Sequence, residues 1–299
     1  MRLLARITAA AAAVPAFVLA SPAAAMAITV NEDFKPQNEF KLDPWISLKF
    51  GPLDMSINKA VMYLVITCVL TCVAMVWIAK RMEAKPNRVQ TAVETLYVTM
   101  RDNIAGGNMD AKTAKRWFSF VATLFMFIWI SNMLGYIPLP TNTEHKVDVF
   151  GISIPTFAIY AATANLAVPL ALTLMVWFAY HYEGIRAKGP VKYLKGWVPA
   201  GVTGPAVGPI FVIEVISHFV RLVSLSVRLF ANILAGHLLI LFMGGGLAVL
   251  LSLELVGVFT LPLAIAFYIF EVGLVATLQA FIFATLASIY FGGAVAEEH

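Results

Sequence analysis

The residues best suited to chemistry lie in one apolar stretch, from Glu214 to His237, which carries charged and polar side chains but no lysine or aspartate. At roughly 100° per residue, an α-helix brings five of them onto one stripe about 80° wide. Charges at bilayer depth are costly, so a membrane helix keeps them where they face a protein partner or a watery path. The stripe predicts either a buried network between helices or an ion pathway with Arg228 at its narrowest point. Its members are Glu214, His218, Arg221, Arg228 and Asn232.

The composition indicates which class of protein positions these residues. The 299-residue chain is 60% hydrophobic and 13% charged, whereas a soluble domain has about 25% charged residues. These values indicate a polytopic membrane protein. No run of lysine and arginine interleaved with aromatic residues suggests a nucleic-acid surface. Cys68 and Cys72 lie in one apolar run, which favours two free, buried thiols over a metal site or a disulfide.

The N-terminus predicts a secretory signal peptide over residues 1–27. Arginines form a positive region at its start, an apolar stretch follows, and residues 25–27 fit the small-x-small cleavage rule. An organelle transit peptide is the competing interpretation, because the segment has arginine and no acid. Cleavage would leave the mature N-terminus outside, with 28–58 as an external tail and 59–299 as the membrane domain.

Apolar runs and basic loops predict an all-α protein with five membrane crossings, an external N-terminus and a cytoplasmic C-terminus. The basic loops around 80–116 and 186–195 are assigned to the cytoplasm by the positive-inside rule, and Val89–Ile104 is a candidate amphipathic surface helix. The last two apolar runs, separated at Gly244–Gly246, exceed a core of about 30 Å. We expect each to form one long, strongly tilted helix, and the two to form a hairpin. The crossings are predicted at about Lys59–Ala79, Trp117–Ile137, Phe157–Tyr180, Ile210–Met243 and Leu251–Phe291.

The segment Ser226–His237, SVRLFANILAGH, resembles the signature of subunit a of the rotary F-type ATP synthase. Leu278–Phe283, LQAFIF, is similar to a second motif of that family, and the likeness extends from about Lys59 to the C-terminus. Ala231 departs from the family pattern, in which glycine follows the phenylalanine. The resemblance implies a non-catalytic, proton-conducting subunit in a lipid bilayer, without a cofactor or metal. It implies as partners a ring of c subunits, peripheral-stalk b subunits and other synthase subunits.

The resemblance also implies roles for individual residues. Arg228 corresponds to the stator charge that faces the c ring and separates two aqueous half-channels, so that proton flow drives rotation and ATP synthesis. A guanidinium keeps its proton at any working pH, and an imidazole exchanges protons near neutrality. The membrane expected is the bacterial inner membrane or, alternatively, that of an energy-transducing organelle. The inlet half-channel is expected to contain His237, Glu271, Asn232 and Gln279, and the outlet half-channel Glu214, Ser224 and His218.

One spacing leaves two alternatives open. Glu271 and Gln279 are eight residues apart, where the family leads us to expect seven, and a regular helix turns such side chains about 80° apart. Either a bulge near Gly273 corrects the phase, or Glu271 is not the family acid. Asn165 also stands where an acid is expected in the third crossing.

Two other functions compete with the proton channel. A secondary transporter with an intramembrane ion pair is expected to show internal repeats, and the sequence contains none that we detect. An intramembrane hydrolase has only the weak pattern of Glu214 followed four residues later by His218.

Overall fold

Helices dominate the computed structural model of the chain. It describes residues 40–50, 53–54, 56–82, 87–141, 146–149, 152–155, 159–198, 202, 204–246 and 254–296, so the predicted signal peptide lies outside the described residues. The helices are α1 (Lys59–Lys80), α2 (Arg88–Val98), α3 (Ala111–Gly135), α4 (Ala167–Lys188), α5 (Pro190–Lys195), α6 (Val207–Leu241), α7 (Glu254–Phe270) and α8 (Ala276–Val295).

The chain divides into two compact units. One takes in Gly236–Ile269, and the other takes in Lys41–Ala235 together with Phe270–His299. In the second unit α8 packs against α3 and α4, and α1 packs against α3. The buried positions of α8 recur every three or four residues and are mostly small, which lets helix backbones approach closely. Among them are Ala276, Ala280, Ala284 and Ala287.

Four helical segments of the described ranges are long and apolar enough to cross a bilayer, which supports the predicted class of polytopic membrane protein. The remaining predicted crossing, the third along the chain, corresponds to α4, which is helical over 22 residues. Its final turns carry Glu183, Arg186 and Lys188, so it is more polar than the others and its crossing stays a prediction. The four segments are Lys59–Lys80, Ala111–Gly135, Gly204–Gly244 and Val258–Val295.

Helix α4 begins later than predicted, for a local reason. Ala162–Ala164 form a 3₁₀ turn, and the Oδ1 atom of Asn165 accepts a hydrogen bond from the Ala167 N–H at 3.0 Å. Pro169 falls in the first turn, where its missing N–H has no helical partner to lose. The predicted limits of this crossing were therefore wrong at both ends. Asn165, which replaces an expected acid, closes a turn at the start of the helix.

The two C-terminal apolar runs each form one long helix, as predicted. Helix α6 is preceded by a 3₁₀ turn at Gly204–Ala206 and continues into a π-helical turn at Phe242–Gly246. The predicted break at the three glycines coincides with this π-helical turn, at which the described part of the helix ends. A second π-helical turn, Glu271–Val275, joins α7 to α8. Residues 247–253 lie outside the described residues, so the hairpin stays a prediction.

Short β-hairpins add to the predicted all-α fold. Strands β1 (Lys49–Phe50) and β2 (Leu53–Asp54) pair antiparallel before the first crossing. Strands β3 (Lys146–Val149) and β4 (Ile152–Pro155) pair antiparallel after α3. Both hairpins fall in segments predicted to be external. The segment Val89–Ile104 is helical, as α2 and a π-helical segment that extends it to Gly106, and its location on the membrane surface stays a prediction.

The cysteines of α1 are free but exposed, so their predicted burial was wrong. Helix α1 instead buries a stripe of larger and more polar residues at every fourth position, formed by Lys59, Tyr63, Thr67 and Thr71. The Thr67 and Thr71 hydroxyls donate to backbone carbonyls four residues earlier, at 2.8 and 2.7 Å. Polar side chains whose hydrogen bonds are satisfied in this way can be buried at little cost, which leaves the cysteines on the outer face.

Asp110 provides a test of how α3 begins. Its Oδ2 atom accepts hydrogen bonds from the N–H groups of Lys112 and Thr113 at 3.1 and 3.2 Å. We expect Asp110→Ala to lower the free energy of unfolding by about 1 kcal/mol, the usual effect of losing such a cap. Thermal denaturation in detergent at pH 7 measures this loss, and an unchanged midpoint would contradict the assignment.

The same cap predicts a dependence on pH. Hydrogen bonds from the Thr113 side chain and from backbone N–H groups lower the pKa of Asp110 below its usual 3.8. A lowered pKa contributes stability above the pKa of the unfolded chain, and that stability is lost as pH falls through the folded pKa. Asp110→Asn keeps an acceptor at this position, so we expect it to retain most of the stability at pH 7 and to lose the acid dependence.

Candidate functional site

A polar cavity of about 300 Å³ lies among α4, α5, α6 and α8, all within the second compact unit. Two of the three predicted outlet residues, Glu214 and His218, line it, whereas Ser224 does not. The cavity therefore brings together groups from distant parts of the sequence. The titratable groups in its wall are Tyr180, Tyr193, Lys188, Glu214, His218, Arg221 and Tyr290.

Glu214 is the centre of an ion-pair cluster on α6. Its Oε1 atom accepts a hydrogen bond from Nη2 of Arg221 at 3.4 Å and lies 3.8 Å from Nε2 of His218. The Arg221 guanidinium also lies over the ring of Tyr290, 5.7 Å from its centre. These contacts confirm that the three polar residues of α6 share one face. A carboxyl group beside an imidazole in a cavity large enough to hold water can pass a proton between oxygen and nitrogen.

His218 is oriented by residues outside α6. It is buried, and its Nδ1 atom shares a hydrogen bond of 2.9 Å with the Tyr180 hydroxyl on α4. The Trp197 ring packs against it, with the ring centres 4.5 Å apart. Because the partner at one nitrogen fixes the direction of the other, Tyr180 directs Nε2 of His218 towards Glu214.

Arg228 and Asn232 are exposed about two and three turns beyond this cluster. The neighbouring face of α6 is buried at Leu225, Leu229 and Ile233. In the part of the chain that the structure describes, Arg228 makes no hydrogen bond or ion pair. The predicted stripe is thus divided between paired residues at the cavity and a guanidinium on the outer surface of an apolar helix.

The outlet prediction for Ser224 is not supported by its position. Ser224 is exposed, and the buried serine of this turn is Ser226. The Ser226 hydroxyl lies 3.1 Å from the Leu222 carbonyl and 3.0 Å from that of Val223, so it bonds to its own helix. Ser224 faces the same surroundings as Arg228 rather than the cavity.

Glu271 is buried at the start of the second π-helical turn, and its Oε2 atom accepts a hydrogen bond of 3.0 Å from the Tyr136 hydroxyl. The turn, Glu271–Val275, contains Gly273, so the first of the two alternatives above is the one observed. A π-helical turn accommodates one extra residue. Eight residues from Glu271 to Gln279 therefore rotate the chain as seven would, which leaves the two side chains about 20° apart.

Side chains of α3 hold the segment after this turn. The Asn132 amide donates to the Ala276 carbonyl at 3.3 Å and accepts from the Thr163 hydroxyl at 2.8 Å. The Trp129 indole N–H donates to the Thr277 hydroxyl at 3.0 Å. These bonds fix the first turn of α8 and, with it, the direction of Glu271.

The other predicted inlet residues are distributed between the units. Gln279 is buried in the same unit as Glu271. His237 is buried as well, but it belongs to the unit formed by Gly236–Ile269. The pairing of His237 with Glu271 therefore stays a prediction.

Sequence reasoning missed the tyrosines and one buried ion pair. The periodicity argument followed formal charge, so it overlooked the neutral hydroxyls of Tyr136, Tyr180 and Tyr193. It also overlooked Glu183, which is 3% exposed and lies 2.6 Å from Nη1 of Arg116. The available signal for Glu183 was its position as a lone acid near the basic end of α4.

The fold and the site define a polytopic helical membrane protein with ionisable side chains on its long apolar helices. A family model described as ATP synthase A chain matches residues 61–292. An ATP synthase subunit a from Rubrobacter xylanophilus is 34% identical over 248 residues, which are 82% of this chain and 86% of that protein. Another from Parvibaculum lavamentivorans is 32% identical over 272 residues, which are 88% of this chain and 94% of that protein. The chain belongs to the ATP synthase subunit a family.

The second π-helical turn predicts a difference between two deletions. Removing Gly273 lets a regular helix keep Glu271 and Gln279 in phase, because seven residues then separate them without a bulge. Removing Leu278, which is exposed, leaves the bulge in place and rotates Gln279 by about 100°. We expect only the first deletion to retain folding, measured by the amount of protein that remains monodisperse in detergent. Equal loss in both variants would contradict the phase argument.

Proposed function

We propose that this chain is the proton-conducting stator subunit of an ATP synthase membrane sector, in which Arg228 separates two aqueous half-channels. Proton flow past Arg228 drives rotation of a ring of c subunits and, through it, ATP synthesis elsewhere in the complex. The chain itself is non-catalytic. The observation that carries the proposal is an exposed arginine on an apolar helix, in a member of the ATP synthase subunit a family.

An exposed guanidinium needs a partner within a bilayer, because a charge at the bilayer centre is costly when it is neither paired nor hydrated. Val220, Val223 and Val227 are also exposed on this helix, so its outer surface is largely apolar. A carboxylate on a passing rotor subunit supplies the missing charge. Arg228 favours the ionised form of that acid, so the acid releases its proton before passing and takes one up only afterwards.

This behaviour prevents a proton leak. Arginine does not give up its own proton, so protons cannot hop through Arg228 from one half-channel to the other. Each proton that crosses 100 mV releases about 2.3 kcal/mol, and a leak would dissipate that energy without rotation.

The cavity at Glu214 is the proposed outlet half-channel. It contains an acid, an imidazole and several hydroxyls in contact with a space large enough to hold water, and these are the groups that proton transfer requires. The proposed inlet contains Glu271, Gln279, His237 and Asn232. Ser224 is left out of the conducting path because it is exposed beside Arg228 rather than at the cavity.

The proposed partners are the c ring, peripheral-stalk b subunits and the other subunits of the synthase. The proposed location is the bacterial inner membrane, with the N-terminus outside and the cavity at Glu214 on the cytoplasmic side. A basic cluster near that cavity, which includes Lys188 and Lys192, agrees with the positive-inside rule.

The first functional prediction concerns Arg228. We expect Arg228→Ala to abolish ATP-driven proton pumping in inverted membrane vesicles while the complex still assembles, because the rotor acid loses the charge that ionises it. The matched control is Val227→Ala, an exposed neighbour, which should pump at the wild-type rate. Proton-coupled ATP synthesis retained by Arg228→Ala would contradict the proposal.

The second functional prediction concerns the inlet. We expect Glu271→Gln and His237→Ala each to slow proton flow without creating a leak, because Arg228 still blocks direct passage. Vesicle pumping measures the flow, and the passive decay of a preformed pH gradient measures the leak. Wild-type turnover in both variants would show that these residues are not the inlet pair.

A further inference from the structure

Two tyrosine–histidine pairs of the same kind meet at the cavity. The Tyr180 hydroxyl lies 2.9 Å from Nδ1 of His218, and the Tyr193 hydroxyl lies 2.7 Å from Nδ1 of His181. Both tyrosines line the cavity, and the centres of the two imidazole rings are 4.8 Å apart. The proposed outlet uses only the first pair, so the second needs its own explanation.

His181 is buried without full use of its hydrogen-bonding capacity. It is 9% exposed, and its Nε2 atom has no hydrogen-bond partner among the described residues. Trp177 packs edge-on against its ring at 4.3 Å. A buried polar atom of this kind usually costs free energy and is uncommon in folded proteins. The Nδ1 atom, which shares a hydrogen bond with the Tyr193 hydroxyl, is the nitrogen through which His181 can exchange a proton with the cavity.

Tyr193 is held in position by close packing. It lies on the short helix α5, and its ring rests directly on Gly184 of α4, where an added Cβ would overlap the ring. Gly189, with φ of 81°, makes the turn that brings α5 back onto α4. The packing therefore keeps the Tyr193 hydroxyl between His181 and the cavity.

Electrostatics limits the pair of imidazoles to one added proton. Two imidazolium ions with their rings 4.8 Å apart repel each other, so protonation of one opposes protonation of the other. Arg221 and Lys188 are further cations in the cavity wall, where Glu214 is the acid already paired with Arg221, so a second imidazolium would add to a net positive charge. The neutral tyrosines, including Tyr290, contribute hydroxyls to this cluster.

We propose that His181 and His218 are alternative holders of a single proton in the outlet half-channel, with Tyr193 connecting His181 to the cavity. In one route the Glu214 carboxylic acid gives its proton to Nε2 of His218 and becomes a carboxylate, and the resulting imidazolium later releases a proton to the cavity. In the other route Glu214 releases its proton to the cavity, and Tyr193 takes a proton from the cavity as it gives its hydroxyl proton to Nδ1 of His181. The same two transfers in reverse return the proton to the cavity, so the phenol and the imidazole are both unchanged overall. This inference rests on the proposed function.

A double-mutant cycle tests the inference in the intact ATP synthase reconstituted into liposomes. The variants are His181→Gln, His218→Gln and the double substitution, since glutamine keeps a hydrogen-bonding side chain but does not accept a proton. We expect each single variant to lower the proton-pumping rate only a few-fold. We expect the double variant to lower the proton-pumping rate about 100-fold, which is the usual contribution of a positioned proton-transfer group. This loss is far larger than the product of the two single effects.

Other roles for His181 give different outcomes. Independent structural effects would multiply, and a double variant equal to the product of the single variants would overturn the inference. A series arrangement would make each single variant as slow as the double, which would also overturn it. Assembly of each variant is measured by the yield of intact complex, so that rates are compared per assembled enzyme.

A second pair of variants separates the hydroxyl of Tyr193 from its packing. Tyr193→Phe keeps the ring against Gly184 and removes only the link to His181. In the His218→Gln background we expect it to slow pumping as strongly as His181→Gln does, whereas Trp177→Phe in that background should not. If Tyr193→Phe does not slow pumping in the His218→Gln background and Arg228→Ala is inactive, only this inference is rejected. If the Arg228→Ala enzyme still pumps protons, the proposed function itself is rejected.

Discussion

A charged side chain in hydrocarbon has to be paired, hydrated or met by another protein, and the structure of this chain follows from that requirement. Glu214 is paired with Arg221 and faces His218 at the polar cavity. Glu183 of α4 is paired with Arg116 of α3. Among the described residues Arg228 has no ion-pair partner, and it lies exposed on an apolar helix. The difference between the paired charges and this one is what points to a partner outside the chain.

Among the described residues, tyrosine hydroxyls bond to three further buried titratable groups. Tyr136 donates to Glu271, Tyr180 contacts His218, and Tyr193 contacts His181. A tyrosine suits this purpose because its ring is stable in apolar surroundings while its hydroxyl supplies one hydrogen bond. Each titratable group is thereby oriented without the cost of burying a second formal charge.

Helix irregularities place these groups as much as regular helix geometry does. The π-helical turn at Glu271–Val275 returns Glu271 to the face of Gln279, and hydrogen bonds from α3 hold the turn that follows. The Asn165 side chain and Pro169 set where α4 begins. The glycines of Gly244–Gly246 take part in a π-helical turn, and the predicted limits of α4 were wrong for a related reason. Composition identifies residues that permit an irregularity, but packing selects the form it takes.

The sequence alone determined the class of protein, its family, the two long C-terminal helices and the shared face of Glu214, His218 and Arg221. These properties depend on local periodicity and on the cost of charge in a bilayer, which hold whatever the neighbouring helices are. Only the tertiary structure decided which of the two phase alternatives at Gly273 is correct and which hydroxyls meet the titratable groups. It also decided that Ser224 and the cysteines are exposed. Those outcomes depend on contacts between helices far apart in sequence. The role of a neutral hydroxyl cannot be predicted from the sequence, because it depends on which partner lies within hydrogen-bonding distance.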